Sequence, residues 1–113
     1  MKKLMLTGLF LLLGTFVVSA QNLPSIRIVN NTGYDIYYLY VSPSEDDTWG
    51  EDILGDAVLE DGETFTYQLP QPLSRVSLYD IGMEDEDEDF YAKYKITITN
   101  NARIAFTIGD MED

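Results

Sequence analysis

Residues 64–69, TFTYQL, alternate without a break: Phe65, Tyr67 and Leu69 fall on one side, Thr64, Thr66 and Gln68 on the other. A period of two over six residues is the mark of a half-buried β-strand. Its borders agree. Glu60-Asp61-Gly62-Glu63 forms a turn before it, and Pro70 and Pro72, which cannot donate to a ladder, close it.

The same grammar extends in both directions. Upstream, Ser25–Val29 sets Ile26 and Ile28 on one face, and Asn30-Asn31-Thr32-Gly33 turns the chain. Tyr34–Ser42 follows, with Tyr34, Ile36, Tyr38 and Tyr40 on one face and Tyr37, Leu39 and Val41 on the other. A strand apolar on both faces is either central in its sheet or carries an aromatic stripe outward. Downstream come Ser74–Ile81, Tyr91–Thr99 and Arg103–Ile108, where Ile104, Phe106 and Ile108 point together. The 43–57 connection carries two helix-start signatures, Ser42-Pro43-Ser44-Glu45 and Thr48-Trp49-Gly50-Glu51, and predicts one helical turn around Trp49–Leu54. The expected fold is all-β: a small antiparallel two-sheet sandwich of six or seven strands with one short helical turn in the 43–57 loop.

The first twenty residues predict export. Lys2 and Lys3 precede an apolar run from Leu4 to Val18, and Val18-Ser19-Ala20 has the small-x-small form of a cleavage site. That run is shorter than the roughly 20 residues a spanning helix needs. Residues 1–20 therefore read as a cleavable signal peptide and 21–113 as one domain, periplasmic or secreted, with no membrane anchor after cleavage and monomeric by default. The chain has no cysteine, so packing must do what disulfides do in many small exported domains.

Charge narrows the partners. Of seven basic residues two lie in the leader, which leaves five against twenty acidic ones and a net charge of −15. Such a surface repels phosphate backbones, which argues against nucleic acid, and attracts divalent cations and basic proteins. Histidine is absent, which removes Ser-His and Cys-His nucleophile pairs and the common zinc sites. No paired carboxylates sit in an identifiably apolar setting, and so small a domain has little room for a substrate cleft. The expectation is a protein that is not an enzyme and has no resident cofactor, Ca²⁺ apart.

Three groups of residues bear on binding. Glu84 to Asp89 is an unbroken run of six carboxylates. Antiparallel succession would bring it to one pole with the 30–33 and 60–63 turns and the C-terminal tail. Such runs ordinarily form solvated loops. The sharper reading is a low-affinity Ca²⁺ site built from Asp80, Glu84, Asp85, Glu86, Asp87, Asp89 and Asp110, because calcium takes six to eight oxygen ligands. Trp49 reads first as a plug over the open end of the core, at the opposite pole, and second as an anchor for a sugar or partner. Tyr34, Tyr37, Tyr38 and Tyr40 read first as half core and half cover for the sheet, and second as an aromatic face on which Tyr37, Tyr38 and Tyr40 would meet a partner.

The segments Asn30-Asn31-Thr32-Gly33, Tyr40-Val41-Ser42-Pro43-Ser44, Trp49-Gly50-Glu51-Asp52-Ile53-Leu54-Gly55 and Leu59-x-x-Gly62-Glu63 resemble a group of small, uncharacterised exported bacterial β-rich domains. Tyr79-Asp80, followed by an acidic loop and Tyr91, is similar to that group too. The resemblance covers about residues 26–110; it implies a secreted β-rich domain and brings no activity or site residues. The expected function is thus an exported, non-enzymatic binding or interaction domain whose acidic pole meets Ca²⁺ or a basic protein. The alternatives are a structural accessory subunit of an envelope assembly and an acidic inhibitor of a basic hydrolase.

Overall fold

The computed structural model describes residues 23–113; the leader expected over residues 1–20 lies outside them. Six strands are present: β1 Ser25–Asn31, β2 Ile36–Pro43, β3 Thr64–Gln68, β4 Leu78–Asp85, β5 Phe90–Thr97 and β6 Ala102–Thr107, followed by a 3-10 turn at Ile108–Asp110. They form two three-stranded sheets, in the orders β3-β1-β6 and β2-β4-β5. The all-β expectation holds, with six strands.

The inner faces of both sheets supply a single core. Ile26 and Ile28 of β1, Leu39 of β2, Ile81 and Met83 of β4, Tyr91 of β5 and Phe106 of β6 are all fully enclosed. Each such side chain contributes about 1.5–3 kcal/mol of apolar transfer, and that burial does the work no disulfide does here. Buried Asn30 closes the upper end. Its side-chain amide donates to the carbonyls of Tyr34 and Leu59, and its oxygen accepts from the amide and hydroxyl of Thr32.

Four expectations change. First, pairing is not wholly antiparallel: β6 runs parallel to β1, with Ile26 beside Ala102 and Asn31 beside Thr107. Alternating strand directions require antiparallel neighbours only when successive strands pair, and β1 and β6 are far apart in sequence. Second, no helical turn forms at 43–57, where the described backbone holds only turns and bends. The hydroxyl of Ser44 donates to Asp80 instead of capping a helix. The segment lies along the β2 edge instead, where Asp52 accepts the Leu39 amide and the Ile53 amide reaches the Leu39 carbonyl. Helical hydrogen bonding would withdraw these groups from the edge.

Third, the strand expected at Ser74–Ile81 is displaced to Leu78–Asp85. Tyr79, Ile81, Met83 and Asp85 continue one inward alternation, so the acidic run begins inside a strand. Fourth, β2 does not keep its parity. A bulge between Ile36 and Tyr38 puts both Ile36 and Leu39 in the core and both Tyr37 and Tyr38 outside. A similar irregularity in β5, with Lys95 at φ 52°, turns Tyr94 outward and returns Ile96 to the core edge. One extra residue in a strand is enough to invert every face assignment beyond it.

Candidate functional site

The start of β2, the end of β4 and the turns around Gly33 and Gly62 meet at one pole. Ile36 lies opposite Asp85, the Gly33 amide donates to Asp61 at 2.8 Å, and the Asn30 amide donates to the Glu63 carbonyl at 2.9 Å. The tail arrives there as well: the Glu112 amide donates to the Phe90 carbonyl, and Met111 bridges to Tyr91.

The acidic run is a hairpin tip with one interior member. Asp85 is 2% exposed. Its Oδ1 accepts the amides of Asp87 and Asp89 at 2.9 and 3.0 Å, and its Oδ2 accepts the Tyr91 hydroxyl at 2.8 Å. Charge-assisted bonds of this kind are roughly twice as strong as neutral ones. The tight turn also places Glu88 at φ 68°. Tyr91 keeps its proton far above the ordinary phenol range, first because it is buried and then because Asp85 accepts its hydrogen bond.

The seven acids considered for calcium are not all brought together. Carboxylate oxygens of Asp85, Asp87 and Asp89 lie within 4.8 Å of one another, with Asp87 and Asp89 exposed. Glu84 and Glu86 flank them across the strand end. Asp80 is elsewhere on β4, accepting the Ser44 hydroxyl and the Lys95 amide at 2.7 and 2.8 Å, where it holds the β5 bulge. Asp110 pairs with Lys93 at 3.1 Å and accepts the Thr107 amide that starts the 3-10 turn. Each of these two carboxylates thus has a local structural task.

The aromatic residues sort differently. Trp49 is not a plug at the far end of the core. It packs on the outward face of β2-β4-β5, tilted against Tyr40 and Tyr94 and edge-on to Phe90, with ring centroids 6.1 Å from Tyr40, 5.6 Å from Phe90 and 6.0 Å from Tyr94. Gly82 makes room for it: a Cβ there would come 2.6 Å from Phe90 Cζ and 3.0 Å from the Trp49 ring. Tyr40 is therefore packed into this layer, its hydroxyl pKa raised by burial and then by the charge of Glu84. Sequence reasoning missed Phe90, Tyr94 and Gly82; the signal was a glycine inside a strand, which marks a close approach.

Tyr37 and Tyr38 remain free of that layer, 40% and 45% exposed. Together with Glu84, Asp85, Glu86 and Glu88 they line an open hollow of about 360 Å³, and no basic residue lines it. Two of the mature basic residues, Arg27 and Arg103, lie side by side on the other sheet. The hollow thus presents phenol rings and carboxylates, the complement of a lysine or arginine side chain. Compared with known proteins, the chain matches no family model, no curated protein and no solved structure.

Proposed function

We propose that this chain is an exported, non-enzymatic binding domain whose partner is a basic protein, met at the acidic pole through Tyr37, Tyr38, Glu84 and Glu86. The supporting observation is the tyrosine-and-carboxylate hollow just described. Exposed aromatic side chains contribute area at low entropic cost, and the surrounding carboxylates accelerate encounter with a cationic surface and select its orientation.

Titration calorimetry with lysozyme as a basic model protein tests this. Binding that weakens steeply with salt, ignores chelator and drops at least tenfold in Tyr37→Ser and Tyr38→Ser is the expected result. Loss that follows net charge alone, equal for Glu60→Gln and Glu84→Gln and indifferent to the tyrosines, overturns it.

Calcium is a second reading, favoured by the grouping of Asp85, Asp87 and Asp89 within 4.8 Å. A thermal melt of the purified protein with chelator, Mg²⁺ and Ca²⁺ separates the two. A site filled to about 100 times its dissociation constant adds about 2.7 kcal/mol. Asp87→Asn is the variant to use, because Asp85→Asn disturbs the turn itself.

A further inference from the structure

The two flanks of the sandwich carry opposite charge. Residues 43–63, which run along the β2 edge and lead into β3, hold nine carboxylates and no basic residue. Residues 90–109, which span β5 and β6, hold Lys93, Lys95 and Arg103 and no carboxylate. Lys93 is paired with Asp110, just outside that stretch. Contacts show which edges share a flank. Val41 and Ile53 surround one hollow with Tyr67 of β3, whereas Lys93 Nζ lies 5.4 Å from the centre of the Phe106 ring of β6. Arg27 of β1 stands beside Arg103 and extends the basic side.

The sheet edges differ as well. In β2-β4-β5 the β2 edge is covered by Asp52, Ile53 and Leu59, and the β5 edge is met at its start by Met111 and Glu112. In β3-β1-β6 the outer strands are β3 and β6. Among the described residues, no backbone hydrogen bond joins residues 64–68 or 103–106 to anything beyond β1. The ends of β3 fix the direction of its amides. The Leu69 amide donates to the Pro24 carbonyl and the Asn30 amide to the Glu63 carbonyl. By alternation Phe65 and Tyr67 bond to β1, while Thr64, Thr66 and Gln68 turn their backbone groups outward. β3 also has no charge, proline or bulge of its own to keep another strand away.

We propose that this chain associates side by side with further copies of itself, β6 of one copy pairing with β3 of the next. β6 is parallel to β1 and β3 antiparallel to it. A sideways repeat of the sheet therefore brings β6 and β3 together in opposite directions, the slightly more stable pairing. Arg27 lies opposite Thr66 and beside Arg103, and Ile28 opposite Phe65 and beside Ile104. The repeat thus faces Arg103 with Thr66 of the next copy and Ile104 with its Phe65, and it covers the half-buried rings of Phe65 and Tyr67. Charge selects a second copy as the occupant. The basic flank meets the acidic 43–63 flank of its neighbour, whereas two like flanks repel. Such a contact is heterologous and builds rows or rings, not a two-fold dimer. It uses neither Tyr37 nor Tyr38 and stands independently of the reading of the acidic pole.

Sedimentation velocity of the purified protein, from micromolar to millimolar concentration, is the test. Salt is held at about 0.15 M, where screening over roughly 8 Å damps the net repulsion between copies and spares facing side chains. The mean mass is expected to rise with concentration. Arg103→Glu sets a carboxylate against the acidic flank, and Thr66→Lys sets a second cation against Arg103. Both positions are exposed, and each variant should weaken association at least tenfold. Mixed in equal amounts, the two variants should associate again, because the carboxylate introduced in one meets the ammonium introduced in the other. The mass of a single chain at every concentration, association unchanged in either variant, or a mixture that stays monomeric overturns the proposal. Loss of lysozyme binding with self-association intact would sink only the reading of the acidic pole.

Discussion

The two sheets present opposite kinds of outer surface. On β3-β1-β6 the outward positions include Arg27, Thr64, Thr66 and Arg103, the polar side chains expected where a sheet meets water. On β2-β4-β5 they are Tyr40, Gly82, Phe90 and Tyr94, roofed by Trp49, with Tyr38 beside this layer and uncovered. The second sheet is thus packed on both sides, with the main core beneath and a thin aromatic layer above. A surface of this kind either stabilises its own strands or waits for a partner. Here Trp49 covers Tyr40 and Phe90, while Tyr37 and Tyr38, proposed above to meet a partner, stay outside the layer.

Removing the roof tests that division most strongly. Trp49→Ala should cost about 3 kcal/mol in urea unfolding, near the lower end of the range for large aromatic truncations, whereas Thr66→Ala on the other sheet should stay within about 0.5 kcal/mol. Equal losses on the two faces would erase the contrast. Crowding the layer is the next largest perturbation. Gly82→Ala sets a methyl group 2.6 Å from Phe90 and should cost about 2 kcal/mol, as overpacked sites do, with a change in Trp49 fluorescence. An unperturbed spectrum would mean that the ring is free to move aside.

The gentlest probe is alkaline pH. Tyr94 donates to Glu112 at 2.7 Å; this bond, with partial burial and the nearby negative charge, pushes its pKa up to about 12 from the ordinary 10.0. Because folding raises this pKa, its contribution is whole below pH 10 and fades as pH climbs through about 12. Tyr94→Phe should therefore lower stability modestly near neutrality and flatten the alkaline limb of the stability curve, so that variant and parent converge as pH climbs through about 12. An identical limb in the variant would show that the bond does not form in solution.

Much of the fold was legible because alternation is written directly into the strands: β3 and the inner face of β1 are read residue by residue, and β6 as far as Phe106, whereas Ile108, expected to point inward with it, is 51% exposed in the 3-10 turn. What escaped came from single residues acting out of pattern. The bulge at Tyr37-Tyr38 and the αL residue Lys95 reversed parity midway through their strands. The carboxylates at 84 and 85 disguised the end of β4 as loop, although Asp85 is held inside by three local donors. Helix-start signatures around Ser44 and Thr48 failed because the β2 edge offered their segment better hydrogen-bond partners than a lone helical turn could. The site divided in the same way. The clustering of acids at one pole followed from strand direction, whereas which of them keep a free face depended on local hydrogen bonding that no charge count reveals.

The parallel neighbour of β1 has a consequence for the order of events in folding. β1 is the middle strand of its sheet, yet one of its two partners is the last strand of the domain. The hairpin β4-β5 closes locally, through a four-residue tip, and can form early. Sheet β3-β1-β6 must instead wait until the chain has been followed to Thr107, and its closure carries the loop entropy of nearly the whole domain. Folding should be slow for its size, as in other proteins dominated by non-local pairing. Until β6 docks, the open edge of β1 is a template for any extended strand that reaches it first.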